Sequence, residues 1–413
     1  MSEIYQAYSR ILVDNHITEE NPLFMTKFDP AQYAVMIKKS QVDSSMIYAC
    51  CHNGNCYYPT KVGHMHSNLN GRDIFGETVD LVRNEGIIPI AYYTVVFHND
   101  AAKNHPDWRQ KDCNDSNHGG RFWYCCPNNS EYFKFVKAQL AEIISYPVSG
   151  VFVDITFWPI VCFCDSCKEK YRHETNKDIP CIVDWSDPEW VKFQRSRERW
   201  LNEFAQEITL SVRKQKPDIS IVHQFSPVLH GWYFAQNSLF AQASDYSSGD
   251  FYGGKNQQRL ATKVFSAFSK NIPYEFMTAR CVNLNDHTST KSEEEMTCSA
   301  ATTYANGGAT FFIDAINPDG TLNPRVYDRL GKVNNRLQVF KEKLRDLKPK
   351  LCADVGLYFS MASHVKHEEN GLGLKEILGV NSNMHPITNV GPIQELIGTI
   401  KQHFFCKFFF LLN

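Results

Sequence analysis

Short apolar runs alternate with helix-patterned stretches along most of this chain, and that alternation restricts the fold more than any other feature. Runs at 11–15, 46–50, 87–94, 150–155, 219–223, 274–277 and 309–314, with a weak one near 245–246, read as eight strands. Helix starts lie between them. Asp29 before Pro30 supplies an N-cap and a proline at the first helical position, Ser130 opens a helix to 144, and Asp187 before Pro188 opens one to about 214. Ser292 with Glu295 forms a capping box for a helix ending before Gly307 and Gly308, and 324–347 reads as a closing helix. Strand–helix alternation of this kind predicts an α/β (β/α)8 TIM barrel over 8–348. No glycine-rich phosphate fingerprint follows the first strand, which counts against a doubly wound dinucleotide fold. Residues 351–403 read as the start of a second, Rossmann-like α/β domain, cut short, and 404–413 as an aberrant tail.

Composition narrows the function classes. The 413 residues are 43% hydrophobic and 13% aromatic, values of a packed enzyme, and the net charge of −2 offers no basic field for nucleic acid or anionic membrane. The N-terminal residues show no signal-peptide pattern, so a cytoplasmic, reducing setting is expected. Fourteen cysteines in a reducing compartment are then buried thiols or metal ligands.

Two chemistries meet after the fourth apolar run. It ends in Asp154, at the strand end where barrel enzymes build their sites, and a carboxylate closing such a run is costly to bury without purpose. Cys162, Cys164 and Cys167 follow in CxCxxC spacing, able to place three sulfurs on one Zn²⁺. Cys126 is the best fourth ligand, with Cys125 and Cys113 as reserves. Such an all-thiolate site is structural, and no cofactor is expected for catalysis. Hydrolysis of a glycoside uses two carboxylates, and Glu275 and Asp250 are the two candidates to partner Asp154. His16 and His52, at the ends of the first and second strands, suit hydroxyl binding. Trp158 offers an apolar face to a sugar, and Arg280 a cation for substrate or loop.

These residues carry a family resemblance. Cys51 to Gly54 resembles the Lys-His-His-Asp-Gly turn of glycoside hydrolase family 29, the α-L-fucosidases. Glu275 to Thr278, Lys291–Ser292, Gly307–Gly308 and Pro318 to Thr321 follow in that family's order. Asp154 falls at the position of that family's nucleophile, while Cys51 replaces its Lys and Tyr274 its Trp. Residues 8–360 also resemble proteins described as hypothetical glycosyl hydrolase 6 and the family 151 α-L-fucosidases, through 59–63, 105–108, 250–254 and the CxCxxC. The cysteines resemble the zinc site of family 42 β-galactosidases, where a Tyr-Cys-Pro-Asn segment like Cys126 to Asn128 adds the fourth thiolate. The resemblance implies a retaining, exo-acting α-L-fucosidase acting on a glycoside or oligosaccharide, with homo-oligomers formed by full-length relatives. The alternatives are a β-galactosidase-like glycosidase and a non-catalytic sugar-binding barrel.

Overall fold

The computed structural model describes residues 3–116, 120–282, 286–347, 355–363, 365–381 and 408–412. Eight parallel strands form one sheet: β1 (Ser9–Asp14), β2 (Ser44–Tyr48), β3 (Ile88–Thr94), β4 (Gly150–Asp154), β5 (Ser220–His223), β6 (Ser248–Asp250), β7 (Tyr274–Ala279) and β8 (Gly308–Ala315). Their order is β5-β4-β3-β2-β1-β8-β7-β6. A parallel bridge from Gln224 to Ser248 and a 2.7 Å bond from the Phe225 N–H to the Ser248 carbonyl join the two outer strands. The sheet is therefore a nearly closed (β/α)8 barrel.

Strands β1, β2 and β4 are almost wholly buried, because helices cover their outer face and side chains fill the interior. The Asp29 cap is made as its sequence dictates, its carboxylate accepting the Ala31 N–H at 2.9 Å, and Ser292 caps its helix through the Glu295 N–H at 3.1 Å. Pro188–Gln215 runs 28 residues and carries Trp190 into a second apolar cluster that also holds Trp158. The 324–347 helix is instead two, Pro324–Arg336 and Gln338–Asp346, broken at Leu337.

The sixth strand begins at Ser248, beyond the expected 245–246, and is only three residues long. It has no apolar run because side chains substitute for packing. Glu275 accepts from the Ser248 hydroxyl, and a Cβ on Gly249 would lie 2.6 Å from the Ser226 nitrogen, so only glycine permits this approach. Beyond the barrel, Val355–Phe359 pairs in parallel with Phe408–Leu412. Within the expected second domain Leu374–Asn381 forms a helix, and 351–354, 364 and 382–403 lie outside the described residues.

Arg10, Ser248 and Glu275 occupy the first or second positions of β1, β6 and β7, at the N-terminal floor of the barrel. Arg10 donates to Glu275 at 2.7 Å, and both side chains are almost fully buried. Arg10→Met should destabilise the fold by about 3–5 kcal/mol in urea unfolding, since it strands a buried carboxylate, and adding Glu275→Leu should restore most of the loss. A loss under about 1 kcal/mol for Arg10→Met would show that this pair does not hold the floor.

Candidate active site and thiolate cluster

Asp14, Asp154 and Asp250 are the last residues of β1, β4 and β6, so parallel strands deliver three carboxylates to one rim. They line a cavity of about 440 Å³ together with His16, His52, Tyr92 and Gln224. That volume accommodates a monosaccharide and part of its leaving group.

Asp154 is the best-held of the three. The Tyr92 hydroxyl donates to its Oδ2, and the Ile155 N–H donates to its Oδ1 at 2.9 Å. His52 places Nε2 3.7 Å from Oδ2 while its Nδ1 meets the Thr94 hydroxyl at 2.9 Å. The His16 ring stacks on His52 at 3.9 Å, and Tyr48 stacks on Tyr92 at 4.0 Å. Tyr48 donates to Asp14 at 2.6 Å, and His16 Nε2 lies 3.2 Å from the same oxygen. One stacked, hydrogen-bonded wall thus runs from Asp14 to Asp154.

The opposite wall is bridged by Gln224. Its Oε1 accepts the Ile155 N–H at 3.0 Å, and its Nε2 donates to Asp250 at 2.6 Å. Ser226 adds a 3.0 Å bond to the same Asp250 oxygen. Ile155 has φ of +55°, a left-handed conformation costly for a β-branched residue. In it the N–H serves the Asp154 carboxylate and Gln224 together.

Burial, then the charge of Asp250, pushes the Asp154 carboxyl up to about 7, against the pull of the Tyr92 hydrogen bond. Burial holds both His16 and His52 below the usual imidazole range, His52 the further of the two. The histidines therefore meet a ligand as neutral donor–acceptors.

Three sequence expectations need correction. Glu275 is on the barrel floor, paired with Arg10, at the opposite end from the cavity; its run of apolar neighbours marked a strand but not which end it occupied. Trp158 is 1% exposed and donates its indole N–H to the Arg197 carbonyl at 3.2 Å, so its ring faces the second apolar cluster. Arg280 bonds Asp314 at 2.7 Å and the His287 carbonyl at 2.7 Å, holding the 287–290 loop and not the cavity. His16, His52, Asp154 and Asp250 do come together. Tyr92, Gln224 and Asp14 were missed as partners, though each stands within two residues of a strand's C-terminal end, and that position was the available signal.

Beside the site, the sulfurs of Cys126, Cys162, Cys164 and Cys167 all lie within 4.8 Å of one another, and all four residues are buried. Cys126 and Cys167 sulfurs are 3.5 Å apart, and Asn128 donates to the Cys167 sulfur at 3.3 Å. Tetrahedral thiolate coordination at about 2.3 Å spaces sulfurs about 3.8 Å apart, so this group could hold a metal ion. Hydrogen bonds from the other three thiols hold Cys164 far below the usual thiol range, while burial pushes Cys126 and Cys167 up. Arg197, fully buried, lies close enough to feel the charges of Cys162 and Cys167. A cation there offsets the double negative charge of a divalent ion with four thiolates.

Residues 29–155 match the family model described as hypothetical glycosyl hydrolase 6. No curated protein sequence matches the chain. Among solved structures, alpha-L-fucosidase isoenzyme 2 from Paenibacillus thiaminolyticus superposes with a TM-score of 0.74 at 19% identity, over 87% of this chain and 53% of that one. At that identity the likeness shows the fold, a (β/α)8 barrel. A β-galactosidase from Halorubrum lacusprofundi gives 0.68 at 12% identity over 98% of this chain and 66% of that one. Another from Bacillus circulans sp. alkalophilus gives 0.65 at 15% identity over 87% and 60%. The chain thus spans less than two thirds of the length of each of these proteins.

The raised Asp154 carboxyl has a stability consequence. Its folded value lies above its unfolded one, so the folded state keeps a proton the unfolded state loses, and stability falls as pH rises from about 4 to about 7. Asp154→Asn removes this penalty while keeping an acceptor for Tyr92. Its advantage over wild type in urea unfolding should open across that window to roughly 2–4 kcal/mol and stay constant above it. A pH-independent difference would remove Asp154 as the strained carboxylate.

Proposed function

We propose that this chain is a retaining, exo-acting α-L-fucosidase in which Asp154 is the nucleophile and Asp250 the acid/base. The observation supporting this most directly is the paired arrangement of the two carboxylates across one cavity, linked through Gln224 and the Ile155 N–H. Asp154 attacks the anomeric carbon, and the Tyr92 hydroxyl and Ile155 N–H stabilise the ionised carboxylate it must present. Asp250 protonates the departing oxygen, then takes a proton from the water that frees the sugar. The neutral His16 and His52 hold sugar hydroxyls beside the nucleophile. Burial and then the Asp250 charge hold the Asp154 carboxyl up to about 7, so Asp154 must give up its proton before it can attack.

A β-galactosidase is the second reading, since two of the three superposed structures bear that name. Against it stands Asp154 followed by Ile155, where the resemblance to family 42 would require an asparagine and a glutamate. We assign the four-cysteine group to a structural zinc, by donor chemistry and closed geometry. The twelve described cysteines are free thiols, which fits a reducing, cytoplasmic setting.

Turnover of 4-nitrophenyl α-L-fucoside, beside the β-D-galactoside, tests the substrate. The fucoside should be preferred, and Asp154→Ala should lose at least about 10³-fold in kcat/KM. Equal rates for Asp154→Ala and wild type would remove Asp154 from the mechanism, and inertness toward all glycosides would leave a sugar-binding barrel. The acid limb of the kcat/KM profile should fall below about pH 7 as Asp154 takes its proton. Asp250→Asn should move that limb to lower pH by removing the neighbouring charge. With the good 4-nitrophenolate leaving group, enough activity should remain to read it.

Purified protein should contain about one zinc per chain by elemental analysis, and Cys126→Ser should lower both zinc content and melting temperature. Metal-free protein with unchanged melting temperature in chelator would exclude the zinc.

A further inference from the structure

A second cavity, of about 490 Å³, lies outside the barrel between the outer face of β7 and β8 and the helices Gly254–Phe268 and Glu293–Ala305. Phe251, Phe276 and Phe312 line it with apolar surface. Lys255, Arg259 and Lys291 bring three cations to it against one carboxylate, Glu295. Among the described residues neither Lys255 nor Arg259 has an acidic partner. Lys291 spends one donor on the Ala279 carbonyl at 2.7 Å.

Two further features point to a bound anion. The helix Gly254–Phe268 opens at this cavity from Gly253 with no side chain capping it, leaving its first N–H groups for an acceptor. Thr278 on β7 lines the same space, is 7% exposed, and makes no side-chain hydrogen bond within the described residues. Its hydroxyl opens onto the cavity and is available to a ligand there.

We propose that this cavity binds a sugar-sized ligand carrying a phosphate. The phosphate meets Lys255, Arg259 and the helix N-terminus, and the ring lies against the phenylalanines with a hydroxyl on Thr278. Phosphate is the anion that matches two cations and a helix start together, through charge-assisted hydrogen bonds. The site stands independently of the role of Asp154. The two cavities share one wall residue, Tyr252, whose hydroxyl also meets Asp250.

The exposed thiol of Cys298 lies in the lining and reports on it, while the exposed Cys181 does not line it. Iodoacetamide labelling of the full chain, read by peptide mass spectrometry, is the test, with glucose 6-phosphate as probe and glucose and inorganic phosphate as comparators. At ten times its Kd, glucose 6-phosphate should slow Cys298 labelling about tenfold and leave Cys181 unchanged. Lys255→Gln with Arg259→Gln should abolish the protection. Thr278→Val should weaken it while leaving the melting temperature in place, since its hydroxyl has no partner in the free protein. Asp154→Asn should keep it, which separates this site from the catalytic cavity. No protection, or protection lost in Asp154→Asn, overturns the proposal; equal protection by inorganic phosphate overturns the sugar-sized ligand.

Discussion

The contact between β5 and β6 is the constraint on which the rest of the molecule depends. Seven strand pairs are joined by regular ladders, but this eighth pair is joined by one bridge and one 2.7 Å backbone bond. Gln224, the residue of that bridge, adds its side chain, reaching Asp250 on one side and the Ile155 N–H on the other. Closing the barrel and setting the distance between two carboxylates are therefore one event. A shift at this joint would move Asp250 away from Asp154, whatever the quality of packing elsewhere.

Three carboxylates in one cavity repel, and the protein answers by neutralising around them. Each receives a phenol or amide donor: Tyr48 for Asp14, Tyr92 for Asp154, Gln224 for Asp250. The cations that balance charge deep inside are kept elsewhere. Arg10 serves Glu275 on the floor, and Arg280 serves Asp314 behind the wall. Within the cavity, burial and then the charge of Asp250 oppose the ionisation of Asp154.

How much of this was legible follows from what a linear pattern encodes. Apolar runs locate strands, and a polar residue closing a run marks a rim position, so Asp154, His16 and His52 could be placed together from sequence. The CxCxxC and Cys126 could be grouped because ligand spacing is local. Glu275 shows the limit. It stands one residue into β7, where the pattern of buried neighbours looks the same as at a strand's end, and only register with Ser248 and Arg10 fixes it to the floor. β6 was displaced for a related reason: a three-residue strand of serine, glycine and aspartate holds itself by side-chain bonds and close approach, which hydrophobic periodicity does not record. Trp158 was misplaced because an aromatic near a rim can face either the cavity or a second core, and the long helix Pro188–Gln215 that claims it is remote in sequence.

Position explains why a thiolate cluster stands beside this site. Ile155 holds a left-handed backbone immediately after Asp154, and strain of about 1–3 kcal/mol persists only if the flanking chain cannot relax. The segment leaving β4 reaches Cys162 within seven residues of Ile155. Cys126 comes from the segment leaving β3, and β3 also carries Tyr92 two residues before its end. Bringing their sulfurs together ties the loop after Asp154 to the loop after its hydrogen-bond donor. A metal held at that point would fix both ends of the Tyr92–Asp154 contact against the pull of the strained turn. It would support the orientation of the carboxylate without touching the cavity.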